Sequence, residues 1–347
     1  MAPFLTSSPH SARTILVSIS HLLFLFLTGP FTGYDLKQLF IGAEGTLGII
    51  TGVSILTPPQ PQASNNVIFA LPHYDNVLPL YQRAKRDLSE ILSAFEFMDR
   101  TAYDLAIQHG QGRAIGEDEV QGASCFVLIE TSGGRREHDE EVLSPYTIST
   151  LPHRSQKLND FLEQLLEDEK PLINTGVLSQ SPAQFSSLWA LREGITEAVS
   201  KEGRAYKYDI SVPPASFKDV VDTTRDYLRS KGLLGAHAVM HVLGYGHVGD
   251  GNLHLNIVAS SYTQEIQDAL EPFVFELVCK YWLLPDYKSQ PHSLASYRGS
   301  ISAEHGIGAQ KTNALHYSKS PVSIDWMKKI KHLFDPYGIM NPGKVLE

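Results

Sequence analysis

The chain has 347 residues, 42% of them hydrophobic and 19% charged, with a formal net charge of −9 at pH 7. That length supports two domains with a substantial core, and an acidic balance with no basic stripe excludes a nucleic-acid footprint. The two cysteines, Cys125 and Cys279, form no CxxC metal motif and point to a reducing compartment.

The first feature in chain order is the apolar run ILVSISHLLFLFL at 15–27, which follows Arg13 and a serine-rich start. It has the pattern of a signal-peptide core and is too short for a confident membrane span. Next, LFIGAEGTLGIITGVSILT at 39–57 joins a glycine-rich loop to a β-branched run that Pro58 and Pro59 end. Gly42, Gly45 and Gly48 lack a Cβ, so backbone there can lie close against a large planar or phosphorylated ligand. On the residues alone, a simple glycine turn before a strand is the preferred reading. NNVIFAL, FEFMD, CFVLIET and YKYDISVP then read as strands, while 74–91, 153–169, 182–200, 216–232 and 264–280 carry helical apolar spacing. Such alternation predicts an α+β layer.

Within 182–200, Leu188, Leu191, Ile195 and Val199 make one apolar stripe, and Arg192 and Thr196, four apart, share an adjoining face. With Lys207 on the following strand they could grip a carboxylate, because guanidinium binds it bidentately and the other two add donors. Taken alone, an exposed Arg, Thr and Lys are more often solvated.

HAVMHVLGYGH and LHLNIVA read as two strands, and the Gly-Asp-Gly between them predicts a hairpin folded at Asp250 and Gly251. That fold brings the side chains of His247 and His254 together. About fifty residues later SAEHG supplies Glu304 and His305. Two imidazoles and one carboxylate are a common set for a catalytic divalent metal, since three protein donors leave positions open for substrate. The alternative is a pair of ordinary hydrogen-bonded strand histidines. His237 and His241 read as structural. Between the hairpin and SAEHG, the proline- and serine-bearing stretch YWLLPDYKSQPHSLASY at 281–297 reads as a surface loop.

GYDLKQLFIGAEGTLGIIT, GYGHVGDGNLHLN, SAEHGIG and GIMNPGK together resemble the FAD-dependent 2-hydroxy-acid dehydrogenases of the vanillyl-alcohol-oxidase type, within the FAD-binding oxidoreductase/transferase type 4 family. The likeness runs from about Gly33 to Lys344 and is nearest to the branch that acts on D-2-hydroxyglutarate. It implies α+β architecture: the C-terminal end of a PCMH-type FAD-binding domain at 33–60, a ferredoxin-like cap carrying substrate at 61–300, and a C-terminal helical segment at 301–347 returning to the flavin. Residues 281–297 are an insertion relative to the family, and 1–32 lie outside it. Family members carry most of the flavin domain in that place, so the resemblance implies a truncated or misjoined chain that binds FAD poorly, with a genuine N-terminal anchor as the alternative.

Residue by residue, the resemblance implies flavin contacts at Glu44, Gly45, Thr46, Gly48, Ile50 and Asn341, and a hold on the distal carboxylate of the substrate by Arg192, Thr196 and Lys207. The expected reaction oxidises D-2-hydroxyglutarate to 2-oxoglutarate. Zn2+, or another divalent metal such as Mn2+, held by His247, His254 and Glu304 chelates the 2-hydroxy acid and lowers its hydroxyl pKa. His305 takes the hydroxyl proton as general base, Asn256 faces the same side as His254 and bonds the substrate carboxylate, and FAD receives the hydride. The implied partners are a small 2-hydroxy acid and an acceptor such as an electron-transfer flavoprotein, with a homodimer as the assembly and the mitochondrion as the location. The alternatives are a D-lactate or other D-2-hydroxy-acid dehydrogenase, an inactive form lacking most of the FAD-binding domain, and a metal-dependent binding or hydrolytic module.

Overall fold

The computed structural model describes residues 15–18, 34–55, 57, 60, 61, 63–111, 115, 116, 120, 122–133, 156–235, 238–281 and 299–346. The apolar run beyond Ser18, the insertion at 282–297 and His237 lie outside the described residues. In chain order come β1 (Ile15–Ser18), β2 (Gly52–Ile55), β3 (Ala63–Leu71), α1 (Val77–Asp87), β4 (Leu92–Asp99) and α2 (Arg100–Gln108). They are followed by β5 (Cys125–Gly133), α3 (Gln156–Glu167), β6 (Thr175–Leu178), α4 (Pro182–Glu193), α5 (Ile195–Glu202) and β7 (Arg204–Ser211). The remainder are α6 (Phe217–Ser230), β8 (Val239–His247), β9 (Asn252–Ala259), α7 (Gln264–Leu270), α8 (Phe273–Tyr281) and α9 (Pro321–Phe334). No helix among these residues is long and apolar enough to cross a membrane.

The chain divides into two compact units, Met1–Pro58 with Phe275–Glu347, and Pro59–Val274. In the first, β1 pairs antiparallel with β2, Ile15 opposite Ile55. The second is built on a seven-stranded sheet of order β6-β3-β5-β4-β8-β9-β7 in which every neighbouring pair is antiparallel. This mixture of helices and antiparallel sheet is the α+β architecture expected from the sequence.

Helices cover both faces of the larger sheet, so its central strands read as continuous apolar runs: Val67 to Leu71 of β3 and Cys125 to Ile129 of β5 are all buried. On one face α2, α4 and α5 pack on Ile68, Met98, Leu128 and Leu243. The predicted stripe Leu188, Leu191, Ile195 and Val199 is what these helices bury there, at about 1.5–3 kcal/mol of transfer free energy per large side chain. On the other face, Phe69 meets Phe161 of α3 edge-on at 6.3 Å and Phe97 meets Phe217 of α6 at 5.9 Å.

Two of the predicted helices are each split. The stretch 182–200 breaks at Gly194, where a Cβ would come within 2.4 Å of Gln111 Oε1 and 2.5 Å of the Ala190 carbonyl oxygen. The chain is therefore held to glycine by close approach. The bonds Gly194 N to Ala190 O and Ala198 N to Gly194 O keep the helical course across the break. The stretch 264–280 breaks before Phe273 because Pro272 brings no N–H to a helical ladder. Strand β6 was not foreseen, being four residues with a glycine at the sheet edge.

Asp99 joins β4 to α2 by accepting from the Ala102 N–H and the Gly244 N–H, each at 2.7 Å. Loss of hydration outweighs those two bonds and pushes its pKa up from 3.8 to about 6. A raised carboxyl pKa means the folded state binds the proton more tightly, so this stabilisation is fully present below about pH 4 and lost as pH rises through 6. Relative to Asp99→Asn, the unfolding free energy of the wild type should rise by on the order of 2–3 kcal/mol between pH 7 and pH 4. Denaturant titrations of both proteins across that window check it, and parallel profiles would contradict it.

Candidate functional site

The hairpin places the chemistry by register. His247 lies opposite Asn252 and Tyr245 opposite His254, so two-residue alternation sets Tyr245, His247, Asn252, His254 and Asn256 on one face of the sheet. The turn Val248–Asp250 closes on Gly251 at φ 68°, where a Cβ would meet the Val212 carbonyl oxygen at 2.8 Å. As the sequence predicted, the two imidazoles come together across the turn, as diagonal neighbours with ring centroids 5.5 Å apart and planes at 83°. Asp209, opposite His254 on β7, brings a carboxylate oxygen to 3.6 Å from His254 Nδ1.

On the other side of β8, Glu96 of β4 lies opposite His247. It is 4% exposed, and its two oxygens serve two partners: Oε1 is 2.7 Å from His247 Nδ1, and Oε2 accepts from Arg192 Nε at 3.0 Å. Burial alone would raise the carboxyl pKa, but the Arg192 charge and the bond to His247 outweigh it and hold Glu96 below the usual range. The Arg192 guanidinium also stacks over the Tyr245 ring at 4.7 Å, and the Thr196 hydroxyl lies 2.9 Å from the Tyr245 hydroxyl. Arg192 and Thr196 therefore converge on Tyr245 although they belong to different helices, α4 and α5. The sequence reading left the whole guanidinium open to a carboxylate. Its Nε is instead bonded to Glu96.

Lys207 of β7 is exposed and stands opposite Asn256 of β9. Asn256 is 2% exposed; its Nδ2 donates at 3.3 Å to the His254 carbonyl, and its Oδ1 has no hydrogen-bond partner among the described residues. An amide turned over would present the donor in that place, and which way it points is set by its partners. His241, read as structural, lies 3.3 Å from Glu202, which also holds His109 at 2.9 Å.

In the other unit, a cavity of about 530 Å³ is lined by Gly45, Leu47, Gly48, Ile50, Ile339 and Asn341, with neighbouring residues. Four of the six expected flavin positions, Gly45, Gly48, Ile50 and Asn341, thus face one space. The other two do not line it. The Glu44 carboxylate accepts from the Ile307 and Gly308 N–H groups at 2.7 and 2.8 Å, and its carbonyl accepts from Asn341 Nδ2. Thr46 is buried and donates to the Ala43 carbonyl at 2.7 Å, while its own carbonyl accepts from Lys331 Nζ at 2.7 Å. Both residues brace the cavity wall from behind. An apolar wall broken by glycine backbone fits the flat ring end of a flavin. Glu304 and His305 also belong to this unit and are exposed in the bend just before Gly306.

Residues 60–345 match the family of FAD linked oxidases, C-terminal domain. The chain belongs to this family. Among curated proteins it is 41% identical over 317 residues to the D-2-hydroxyglutarate–pyruvate transhydrogenase of Saccharomyces cerevisiae, covering 91% of this chain and 57% of that protein. It is 42% identical over 315 residues to the mitochondrial D-2-hydroxyglutarate dehydrogenase of Rattus norvegicus, covering 91% and 51%. The chain thus spans about half the length of the curated relatives it matches. The solved 4-ethylphenol oxidase of Gulosibacter chungangensis, in an isoeugenol complex, aligns with a TM-score of 0.55 at 14% identity, over 92% of this chain and 60% of that one. At that identity the likeness is one of fold.

Two residues of this family member escaped the sequence reading. Glu96 carried a signal: a carboxylate inside the apolar strand FEFMD cannot be buried without partners. Tyr245 sits two residues before His247 on the same strand face, and the hairpin pattern alone places it there.

Proposed function

We propose that this chain is the substrate-binding and flavin-closing part of an FAD-dependent dehydrogenase that oxidises D-2-hydroxyglutarate to 2-oxoglutarate in the mitochondrion. The observation that carries the reading is Arg192 set over Tyr245, with Thr196 on the same tyrosine and Lys207 beside Asn256, a donor set suited to a second carboxylate. The names of the yeast and rat relatives support it. Residues 33–60 and 301–347 serve the flavin in this reading, and 61–300 the substrate.

The mechanism follows from what the side chains can do. Arg192 through its terminal nitrogens, with Thr196 and Lys207, binds the distal carboxylate and excludes substrates that lack one. Asn256 donates to the carboxylate beside the reacting carbon. His247, His254 and Glu304 would hold a divalent metal, zinc or manganese, and the metal would supply charge that eases loss of the hydroxyl proton. His305 accepts that proton at a ring nitrogen. Gly45, Gly48, Ile50 and Asn341 hold FAD, whose chemistry when bound is to take the hydride from the substrate carbon. The reduced enzyme then hands its electrons to an acceptor such as an electron-transfer flavoprotein, and the assembly is a homodimer.

The test is a flavin absorbance spectrum followed by dye-coupled turnover. A yellow protein that oxidises D-2-hydroxyglutarate faster than D-lactate supports the proposal. Equal rates favour a general D-2-hydroxy-acid dehydrogenase. A colourless protein that gains both flavin and turnover only with an added FAD-binding segment marks the chain as one part of the active enzyme.

A further inference from the structure

Glu96 lies at the centre of the seven-stranded sheet, between Phe95 and Phe97, whose rings are buried among the aromatics of the opposite face. Two of its contacts are to residues that the proposed function uses for different ends of the substrate. We infer that Glu96 is a positioning residue that fixes His247 and Arg192 to one rigid point, so that the 2-hydroxy-acid end and the distal carboxylate of a substrate are held in register. The inference rests on the proposed function for what the two partners bind, and on the geometry for what Glu96 does to them.

The geometry is specific. An ionised carboxylate only accepts hydrogen bonds, so at 2.7 Å from Glu96 Oε1 the His247 Nδ1 must carry the proton. In the neutral ring Nε2, on the other side, then keeps the lone pair that a metal requires. A carboxylate behind a ligating imidazole fixes its tautomer and orientation in this way, and removing it characteristically weakens metal affinity by about 10–100-fold. Oε2 meanwhile accepts from Arg192 Nε at 3.0 Å, which fixes the guanidinium at one nitrogen. The guanidinium is further pinned by the Tyr245 ring. No other carboxylate among the described residues is shown bonding both side chains. Glutamine has one acceptor oxygen and can serve only one of them.

The experiment compares the wild type with Glu96→Gln, with the double variant Glu96→Leu/Arg192→Met, and with Glu130→Gln. The double variant removes both buried charges together and so protects folding. Glu130 bonds Ser93 and Trp189 and serves as the control. Two readouts are taken: Zn2+ titration of the metal-stripped proteins, and the ring ¹⁵N resonances of His247, assigned through His247→Gln. The expected result is an Nδ1–H tautomer in the metal-stripped wild type and in Glu130→Gln, lost in Glu96→Gln and in the double variant. With that loss, Zn2+ affinity falls about 10–100-fold and D-2-hydroxyglutarate binding weakens in both Glu96 variants. An unchanged His247 tautomer and unchanged Zn2+ affinity in both would overturn the inference. If the wild type takes up no Zn2+ yet shows the Nδ1–H tautomer and loses it in Glu96→Gln, the metal part of the proposed function fails while the positioning role of Glu96 stands.

Discussion

His254→Ala is expected to strip the protein of stoichiometric divalent metal and, with it, of turnover. Its imidazole lies 5.5 Å from that of His247 on the same sheet face, and a three-donor site reduced to two loses its chelate geometry. The fall in affinity should exceed the roughly 10–100-fold seen when an outer-shell partner is removed. The fold should survive, because His254 is partly exposed and the residues on either side of it in β9, Leu253 and Leu255, stay buried. Elemental analysis of wild type and variant purified side by side decides the matter. Equal metal content in a folded variant would remove His254 from the ligand set and reduce the hairpin pair to structural histidines.

The second large effect separates two cations that the sequence alone treats alike. Arg192→Met leaves Glu96 buried without its counter-charge, and breaking such a pair from one side costs about 3–5 kcal/mol of stability, so its unfolding midpoint should drop sharply. Lys207→Met touches an exposed residue and should leave stability nearly unchanged. Its effect is on choice of substrate: the preference for D-2-hydroxyglutarate over D-lactate should narrow by about 1.5–3 kcal/mol, the worth of a hydrogen bond to a charged group. The ratio of kcat/KM for the two substrates reads this directly. A Lys207 variant with unchanged selectivity would place the second carboxylate elsewhere.

What the sequence disclosed follows from the reach of its signals. The hairpin at 247–254 was legible because glycine at the turn and alternation along the strands are local and act on the same side chains. The apolar stripe of α4 and α5 was legible for the same reason, whereas the close approach of Gln111 to Gly194 was not, since the two lie more than eighty residues apart. Glu44 and Thr46 show the same limit. Their motif marks a place where chain lies close to a ligand, but only the fold reveals that their side chains turn away to brace Ile307, Gly308 and the Ala43 carbonyl. Glu96 was visible as an anomaly in a strand; its two partners come from α4 and β8, and no pattern within β4 could name them.

The brace at Glu44 has a consequence for how the protein is made. The amides that receive its carboxylate lie 263 and 264 residues further along the chain, the Asn341 side chain that bonds its carbonyl 297 residues on. At a synthesis rate of about 5–20 residues per second, the glycine-rich loop leaves the ribosome roughly 13–53 s before the first of these distant partners is made. Through that interval the loop waits without these partners beside Ile49 and Ile50, which are exposed even after folding is complete. The intervening Pro59–Val274 unit is contiguous and can fold while the loop waits, so the nascent chain at this stage is a folded body joined to an apolar segment still lacking its partners, the kind of intermediate that chaperones capture.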